Sequence, residues 1–432
     1  MKSFDVIIIG GGPAGAATGL TILKKPGISI GILEQSNYSK PRVGEVLSPG
    51  LRMMLEYFDV WNSFKSENPL DAFSSKALWG NEDLSVTDYL FTIHGSGWHL
   101  NRVAFDRMLT NKFKEHGGSL MTSTKFLRAE RHDDGWQVYI RSGEKEEILF
   151  TNYIVDASGR KGSFVKSQKT VRVYDDRLVG VGCFGDIRSG VQMEQSILIE
   201  AVEYGWWYSA PTPSNKISII LMTDLDIVRE LKAANRHAWM RLLKSTKETS
   251  KQLKNVESNI NPKSFLAHSS KLTVAGDKNW LAVGDAFSSH DPLSSSGIPH
   301  ALGSGAFAGR VVVSSLMGNH NLLQDYSNEI SNQYLSYLKT KGEYYAYEQR
   351  WPESKFWKRR TDSIDIMAES SLETDLSIPK KPIHLNVDQY VDFKKMHSFG
   401  IPAHELVTKF KKTYPEVSDQ AGILGLQEMI RL

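Results

Sequence analysis

The sequence predicts an α/β fold: a three-layer domain that is interleaved with a second, β-sheet domain and is followed by a mostly helical C-terminal part. Two observations predict it. The chain opens on a short apolar run, residues 4–9, which a glycine-rich turn and a helical pattern follow at once, as in Rossmann-like domains. Later in the chain, runs typical of a second sheet alternate with segments in which an apolar strand ends in a glycine-containing turn, as in the first domain.

The glycine-rich turn carries the strongest local signal. Gly10, Gly12 and Gly15 stand in the G-x-G-x-x-G spacing, and Glu34 follows the next predicted strand. In such a unit the glycines allow a tight turn, a close approach to a pyrophosphate and close helix packing, and the acid accepts hydrogen bonds from a ribose. The turn therefore predicts a dinucleotide site. The alternative is an ordinary glycine turn, and this stretch by itself does not separate NAD from FAD.

Composition and charge narrow the functional classes. A chain of 432 residues has the length of roughly two or three domains, and its net charge of +3 gives no reason to expect a nucleic-acid partner. The single cysteine, Cys183, lies in an apolar run and is expected in the core, which leaves no intramolecular disulfide and no cysteine-based metal site. Without a signal-peptide pattern or a membrane-spanning apolar run, we expect a cytoplasmic protein.

The predicted domains are discontinuous. Strand-like runs at residues 75–79, 89–93 and 95–100 interrupt the first domain, and β-type runs return between residues 178 and 223. The resulting assignment is residues 1–72, 101–170 and 273–345 to the nucleotide-binding domain, residues 73–100 and 171–272 to a substrate domain, and residues 346–432 to a C-terminal extension.

Three later segments add to the nucleotide signal. Arg102 begins the helical pattern R-x-x-F-D-x-x-L, Asp156-Ala-Ser-Gly159 ends a buried strand, and Gly284-Asp285 ends another. Each segment resembles a cofactor-contacting motif of flavoprotein monooxygenases and related reductases, and the segments stand in the chain order of those motifs. A strand that merely ends in a turn is the alternative for the second segment.

Four further positions are expected near the same site. A helix rich in small residues is predicted to begin near Pro299, directly after Gly297 and Ile298, and its first N–H groups can face a group that gains negative charge. Arg42 follows Glu34 in a loop that either lies along the cofactor or is only solvated. Phe126 either lies beside an adenine or is an ordinary core residue.

Together these motifs resemble the FAD-binding set of the p-hydroxybenzoate-hydroxylase-like superfamily, over residues 1 to about 345. The resemblance implies FAD as the resident cofactor. Because no second glycine fingerprint is present, it also implies an external electron donor, NAD(P)H or a flavin reductase. The positions that the resemblance assigns to the cofactor are Gly12, Ala14, Gly15, Glu34, Arg42, Arg102, Phe126, Asp156, Gly159, Asp285, Gly297 and Ile298.

Within this superfamily the chain resembles the flavin-dependent tryptophan halogenases, with two departures. Their W-x-W-x-I-P motif corresponds here to residues 206–211, with Tyr208 in place of the second tryptophan. Their Glu-Ser pair after Asp-Pro-Leu corresponds to Ser294-Ser295. Lys76 is the nearest equivalent of the halogenase lysine, with a solvated surface lysine as the alternative. The missing acid and the altered aromatic motif argue against halogenation.

Residues 205–211 and 97–102 also resemble the G-W-W-Y-S-A-P and G-W-H-L-x-R motifs of a halogenase-like subgroup. That subgroup includes flavoproteins that modify a tryptophan inside a partner polypeptide during cysteine tryptophylquinone biogenesis. The resemblance implies an FAD-dependent monooxygenase that hydroxylates an aromatic, indole-type substrate through a flavin C4a-hydroperoxide. The substrate is either a small molecule or a tryptophan of a client protein. The alternatives are a halogenase, a geranylgeranyl-type reductase and an FAD-binding maturation chaperone.

Four residues are expected to carry the chemistry. His290 is a candidate acid, base or peroxide anchor, Trp206 and Tyr208 are candidate walls of the ring pocket, and Lys76 is essential if the enzyme is a halogenase. Further candidates for the walls are Trp98 and Trp207. Each aromatic residue is explained at least as well by a place in the core of a sheet, and His300 is expected to be structural.

Overall fold

The computed structural model describes residues 2–89, 95–168, 170–257 and 260–361, and parts of the C-terminal region: residues 371–372, 376–379, 384–398, 401–417, 421–422, 425–426 and 429. The chain forms two compact units. The first comprises Met1–Arg172 and Asp176–Lys358, and the second comprises Val173–Asp175 and Arg359–Leu432.

Both helices and strands are numbered in chain order. The α-helices are α1 Pro13–Leu23, α2 Arg52–Tyr57, α3 Trp61–Ser66, α4 Arg102–Glu115, α5 Leu225–Glu230, α6 Arg236–Lys244, α7 Gly297–Leu316, α8 Asn321–Ala346, α9 Lys355–Thr361, α10 Val387–Met396 and α11 Ala403–Thr413. The strands are β1 Lys2–Ile9, β2 Ile30–Leu33, β3 Val46–Leu47, β4 Leu70–Ala72, β5 Ser74–Leu78, β6 Ser85–Asp88, β7 Gly97–His99, β8 Ser119–Met121, β9 Thr124–His132, β10 Gly135–Ser142, β11 Lys145–Asp156, β12 Arg172–Tyr174, β13 Leu178–Asp186, β14 Ser196–Val202, β15 Gly205–Thr212, β16 Lys216–Asp224, β17 Lys263–Leu266, β18 Ser270–Leu272, β19 Gly276–Asp277, β20 Trp280–Ala282, β21 Ser288–Ser289, β22 Ser371–Leu372 and β23 Ile401–Pro402.

The larger sheet of the first unit is mostly parallel. Its strands lie in the order β19-β20-β11-β1-β2-β8, and β10 and β9 extend it from β11 as antiparallel strands. The register aligns Ala282, Asp156, Ile9 and Leu33 across four neighbouring parallel strands. The turns that follow these residues therefore leave the sheet at one edge, which is where open α/β sheets bind ligands.

The first strand shows why this sheet forms a core. Val6, Ile7, Ile8 and Ile9 are each at most 4% exposed, as expected of a parallel strand that is covered on both faces. The helix that follows, α1, packs against α4 and α7, so that the helical layer is continuous beside the sheet. The predicted α/β class is confirmed.

A second sheet combines strands from two separate stretches of the chain. Its order is β17-β13-β16-β15-β14-β5-β6. All of its pairs are antiparallel except β14 with β5. Strands β5 and β6 come from the segment 73–100, and the others come from the segment 171–272. The boundaries of an FAD-binding domain and a substrate domain stay a prediction, because both sheets belong to the same compact unit.

The second compact unit has a small core of its own. Side chains of α10 and α11, including Tyr390, Phe393, Leu406 and Phe410, are completely buried in it. Apart from Val173–Asp175, this unit begins at Arg359, whereas the predicted extension began at residue 346. Part of the predicted strand at residues 89–93 lies outside the described residues. Among the helices that the structure describes, none is both long enough and apolar enough to cross a bilayer.

Candidate active site

A cavity of about 1030 Å³ lies between the carboxyl edge of the larger sheet and one face of the second sheet. Residues that follow β1, β2, β11 and β20 line one part, which we call the nucleotide end; it includes Gly12, Glu34 and Phe126. Alternate residues of β5, β14, β15 and β16 line the aromatic end, which includes Trp206 and Tyr208. The alternation follows from the two faces of a strand.

The glycine turn packs closely against the protein on one side and is open on the other. A Cβ on Gly10, whose φ is +114°, would lie 2.3 Å from the carbonyl oxygen of Ala157, and a Cβ on Gly15 would lie 2.0 Å from the carbonyl oxygen of Gly10. A Cβ on Gly12 would meet no atom within 4 Å. Gly12 and Ala14 line the cavity but Gly15 does not. The open space lies at the N-terminus of α1, where N–H groups favour an anion.

Glu34 belongs to a network of buried charges at the nucleotide end. Its Oε2 accepts the N–H of Gly11 at 2.9 Å, and its Oε1 accepts from Arg42 at 3.1 Å. Arg42 also pairs with Asp106 at 2.7 Å, and Arg102 pairs with the same carboxylate at 3.2 Å. Burial by itself lowers the pKa of Arg42, but Asp106 and Glu34 raise it above its usual value. These charges therefore hold one another in place beside the cavity.

Asp156, which the sequence assigns to the cofactor, does not reach the cavity. Its side chain is completely buried, and its oxygens accept the N–H groups of Ser158, Phe164 and Val165. With both oxygens occupied, the carboxylate shapes the turn that follows β11. The residues of this motif that line the cavity are Ala157, Ser158 and Gly159.

Asp285 lines the cavity in a fixed position. It pairs with Arg160 at 2.7 Å, and Arg160 also donates to the carbonyl oxygen of His290 at 2.6 Å. The start of α7, at Gly297 and Ile298, lines the cavity as well. Sequence reasoning missed Arg160, although its position directly after the Asp-Ala-Ser-Gly motif was a usable signal.

The aromatic end separates residues that are adjacent in sequence. Trp206 and Tyr208 lie on the cavity face of β15, whereas Trp207 lies on the opposite face and packs edge to face against Trp239, with ring centroids 5.2 Å apart. Trp98 packs in another core cluster, against Phe64. Two of the four candidate wall residues therefore line the cavity, and the other two are core residues.

A chain of hydrogen bonds fixes Trp206. Its indole Nε1–H donates to the Tyr345 hydroxyl at 3.0 Å, and that hydroxyl donates to Oδ2 of Asp291 at 2.8 Å. Asp291 is 1% exposed and lines the cavity. Burial raises its pKa, although Lys341 opposes the shift. Neither Tyr345 nor this role of Asp291 was predicted from the sequence, because the three residues come from three distant segments.

His290 lines the cavity but is poorly suited to exchange protons near neutral pH. Its Nδ1 bonds to the Ser296 hydroxyl at 2.7 Å, and its ring stacks on Tyr337 with centroids 4.2 Å apart. Burial, the neighbouring His300 and Arg160 lower its pKa to about 2. Burial therefore opposes the predicted role of His290 as an acid or base near neutral pH, and its role as a peroxide anchor stays a prediction. The His300 ring bonds to Ser288 at 3.0 Å and is buried.

Lys76 is not brought to the cavity. It stands between Ser75 and Ala77 of β5, both of which line the cavity, so its side chain points to the opposite face of the sheet. There it pairs with Glu194 at 2.6 Å. The remaining predicted residues at the nucleotide end, Arg42, Arg102 and Phe126, all line the cavity.

Comparison with known proteins identifies the family. Residues 3–333 match the family model described as an FAD binding domain. The chain belongs to this family of flavoproteins. It is 35% identical over 365 residues to LodB of Marinomonas mediterranea, named as an FAD-dependent oxidoreductase, with 83% of this chain and 97% of LodB covered. It is 23% identical over 335 residues to tryptophan 2-halogenase of Chondromyces crocatus, with 73% and 62% covered.

Solved structures show the same fold in this flavoprotein family. The chondrochloren halogenase CndH of a myxobacterium superposes with a TM-score of 0.75 at 20% identity, covering 84% of this chain and 87% of CndH. The flavin-dependent halogenase CmlS superposes with a TM-score of 0.75 at 22% identity, covering 96% and 78%. The protein is thus an FAD-dependent oxidoreductase with halogenase-like relatives, and the predicted cofactor, FAD, is confirmed.

The residues of the cavity fit this cofactor. The nucleotide end supplies backbone space at Gly12 and carboxylate oxygens at Glu34, and the starts of α1 and α7 supply N–H groups. The cavity then continues to the aromatic end without leaving the first compact unit. A long molecule with an anionic centre can therefore occupy the cavity and leave its ring system near the apolar walls.

Proposed function

We propose that this flavoprotein is a monooxygenase that hydroxylates an indole-type ring, and that the ring belongs to a tryptophan of a client polypeptide. In the balanced reaction, one atom of O₂ enters a ring C–H bond and the other leaves as water. An external donor, NAD(P)H directly or a flavin reductase, supplies a hydride equivalent (two electrons and one proton), and one further proton comes from the solvent. When bound, FAD supplies the oxygen-activating chemistry.

One observation carries the choice of hydroxylation over halogenation. Among the described residues, no lysine lines the aromatic end: Lys76 points away, and Lys125 and Lys161 line the nucleotide end. The acid that the resembling halogenases carry after Asp-Pro-Leu is replaced by Ser294-Ser295. A site that handles an oxidised halide needs a polar group to hold it, and neither group is in place here.

The protein groups position the ring and keep water out. Trp206 is oriented by Tyr345 and Asp291, while Ile199, Ile220 and Met222 supply apolar walls beside it. Such a site excludes water from the reacting atoms and strengthens the electrostatic interactions inside it. Holding the ring in one orientation accounts for selection of one ring carbon.

Two observations support a protein-bound ring. Tyr344, Tyr347 and Leu266 line the cavity yet are 56%, 68% and 50% exposed, so an apolar rim surrounds its opening. Exposed apolar groups around a pocket are typical of contact with a polypeptide. Among the relatives, one is a 1H-pyrrole-2-carbonyl-[peptidyl-carrier protein] brominase of Pseudoalteromonas luteoviolacea, which is 22% identical.

The test is mass spectrometry of a tryptophan-containing client peptide after incubation with the holoenzyme, reduced flavin and ¹⁸O₂. We expect a mass increase that carries one labelled oxygen. A product with halogen isotopes in the presence of halide would establish a halogenase. Normal client processing by a variant that binds no FAD would establish a chaperone.

A further inference from the structure

Glu45 is a buried carboxyl group with an unused hydrogen-bonding atom. The residue is 3% exposed and lines the cavity. Within the part of the chain that the structure describes, its Oε1 atom has no hydrogen-bond partner. Buried polar atoms in native proteins are normally paired. An acceptor left open beside a ligand cavity therefore points to a donor that arrives with the ligand.

The protein holds the backbone of Glu45 in place. The N–H of Leu100 donates to its carbonyl oxygen at 2.6 Å, and the guanidinium of Arg102 donates to the preceding carbonyl of Val43, also at 2.6 Å. Gly44 has a φ of +96°, and a Cβ there would lie 2.5 Å from Nη1 of Arg102. The positive φ favours glycine in this turn, so the backbone that carries the Glu45 side chain is fixed before any ligand binds.

The carboxyl group lies at the aromatic end. Glu45 directly precedes β3, which pairs with β7, and β7 packs against β15, the strand that carries Tyr208. Burial raises the pKa of Tyr208, and the nearby Glu45 carboxylate raises it further. Burial also raises the pKa of Glu45 to about 7, opposed by the N–H groups of Glu45 and Gly44 and by Arg102. Among the described residues, Arg102 and Tyr208 are thus the ionisable groups that interact with it.

We propose that Oε1 of Glu45 accepts a hydrogen bond from the aromatic substrate, so that the site selects rings with an N–H donor at their edge, as in indole. The flat faces of such a ring suit the apolar walls formed by Trp206, Tyr208 and Ile199, and its polar edge suits the carboxylate. The inference rests on the proposed function for the nature of the substrate, but it concerns recognition of the ring and not transfer of oxygen.

This hydrogen bond should make the binding of the ring depend on pH. A ring N–H stabilises the ionised carboxylate over the protonated acid. Binding of a donor ring should therefore release protons near neutral pH and tighten as the pH rises from 6 to 8. A ring of the same shape without a donor should bind independently of pH over that range.

The test compares indole with benzofuran, which has the same shape but an oxygen in place of the N–H. Binding to the oxidised holoenzyme is followed by the change in flavin absorbance. We expect indole to bind about tenfold more tightly, the value of one hydrogen bond to a charged group. In Glu45→Met the preference should disappear. Glu45→Gln keeps an acceptor oxygen and should keep the preference but lose its pH dependence. Glu194→Met, on the far face of the second sheet, should change neither.

Two results would overturn the inference: equal affinity of the unaltered holoenzyme for both rings, or a tenfold preference that survives in Glu45→Met. Loss of FAD by the variants with the preference retained in the remaining holoenzyme would assign the carboxyl group to the cofactor and would overturn it as well. Because the measurement uses neither reductant nor oxygen, the preference can be present even where no labelled oxygen enters the product. The labelled-oxygen experiment therefore tests the proposed function independently of this binding measurement.

Discussion

The nucleotide end of the cavity is built from backbone groups and from charges that satisfy one another, whereas the aromatic end is built from apolar walls that enclose a few polar atoms. At the nucleotide end, Glu34, Arg42, Asp106 and Arg102 form a continuous set of ion pairs. At the aromatic end, Trp206 has a hydrogen-bond partner but Glu45 has an atom that no described residue satisfies.

This difference separates two tasks. At the nucleotide end the charged side chains pair with one another, and space and N–H groups are what remains for a ligand. This arrangement suits a cofactor that stays bound. At the aromatic end, buried polar atoms such as Oε1 of Glu45 have no hydrogen-bond partner among the described residues, which suits a substrate that comes and goes and must be recognised each time. Changes at the first end should therefore act on cofactor content, and changes at the second end should act on ring binding.

The largest expected effect is loss of the cofactor on substitution of Gly12. A Cβ there would meet no atom within 4 Å, so in Gly12→Leu the side chain should extend into the open space at the start of α1, leave folding intact and weaken FAD binding roughly a hundredfold. Flavin absorbance and thermal unfolding of the purified protein measure the two effects. The control is Gly342→Ala, at a position that also has no atom within 4 Å. An FAD content equal to that of the control would contradict the role of Gly12.

The second expected effect is a loss of stability in acid that originates at buried histidines, of which His290 lines the cavity. Burial lowers the pKa of His290 to about 2, and it lowers the pKa values of His99 and His268 to about 4. Below the unfolded pKa of about 6.5 the unfolded chain binds protons that the folded chain does not, so stability falls as the pH decreases. Each of these histidines should remove roughly 1–2 kcal/mol of unfolding free energy by pH 5.

Urea unfolding at several pH values between 7.5 and 5 measures this loss. His290→Gln should reduce the slope of stability against pH, while His237→Gln, at an exposed position of α6, should leave it unchanged. A stability that stays constant from pH 7.5 to 5 would show that these rings bind protons in the folded state.

The third expected effect concerns the hydroxyl group that joins Trp206 to Asp291. In Tyr345→Phe the indole N–H and the Oδ2 atom lose their common partner, which should lower the unfolding free energy by about 1–3 kcal/mol and weaken indole binding. The matched variant is Tyr326→Phe, because that buried hydroxyl donates to a backbone carbonyl, at 2.9 Å, away from the cavity. Equal indole binding by the two variants would show that the hydroxyl of Tyr345 does not position Trp206.

The smallest expected effect is that of Lys76→Met. The ion pair with Glu194 lies on the face opposite the cavity, and an exposed pair contributes at most about 1 kcal/mol. Indole binding and ring modification should therefore stay within about twofold of the unaltered enzyme. A complete loss of product with normal folding would place Lys76 in the reaction and would favour halogenation.

The two ends also differ in how far they could be predicted. Gly10, Gly12, Gly15 and Glu34 belong to one short unit whose geometry follows from local steric and hydrogen-bonding rules. Residues of this kind are visible in the sequence because each needs a particular residue type at a particular spacing. Asp156 shows the limit: its motif was found, but the direction of its carboxylate depends on the turn that it binds.

The aromatic end could be predicted only as a region. The alternation of β15 puts Trp206 and Tyr208 on one face, but which face meets the cavity depends on how the second sheet packs. The same uncertainty about which face of a strand meets the cavity explains why Lys76 was predicted near the site although its side chain points away. His290 was chosen for the usual pKa of histidine, but burial, with the neighbouring His300, lowers its pKa to about 2.

By itself, the sequence determined the fold class and the glycine turn after β1, because these depend on residues close together in the chain. The FAD cofactor followed from the resemblance of several motifs spread over residues 1 to about 345. Only the tertiary structure decided that Trp206, Tyr345 and Asp291 form one chain of hydrogen bonds and that Glu45 faces the same space with a free acceptor atom. Those relations join segments far apart in sequence. Their energies arise from burial and from the absence of water, which no local pattern records.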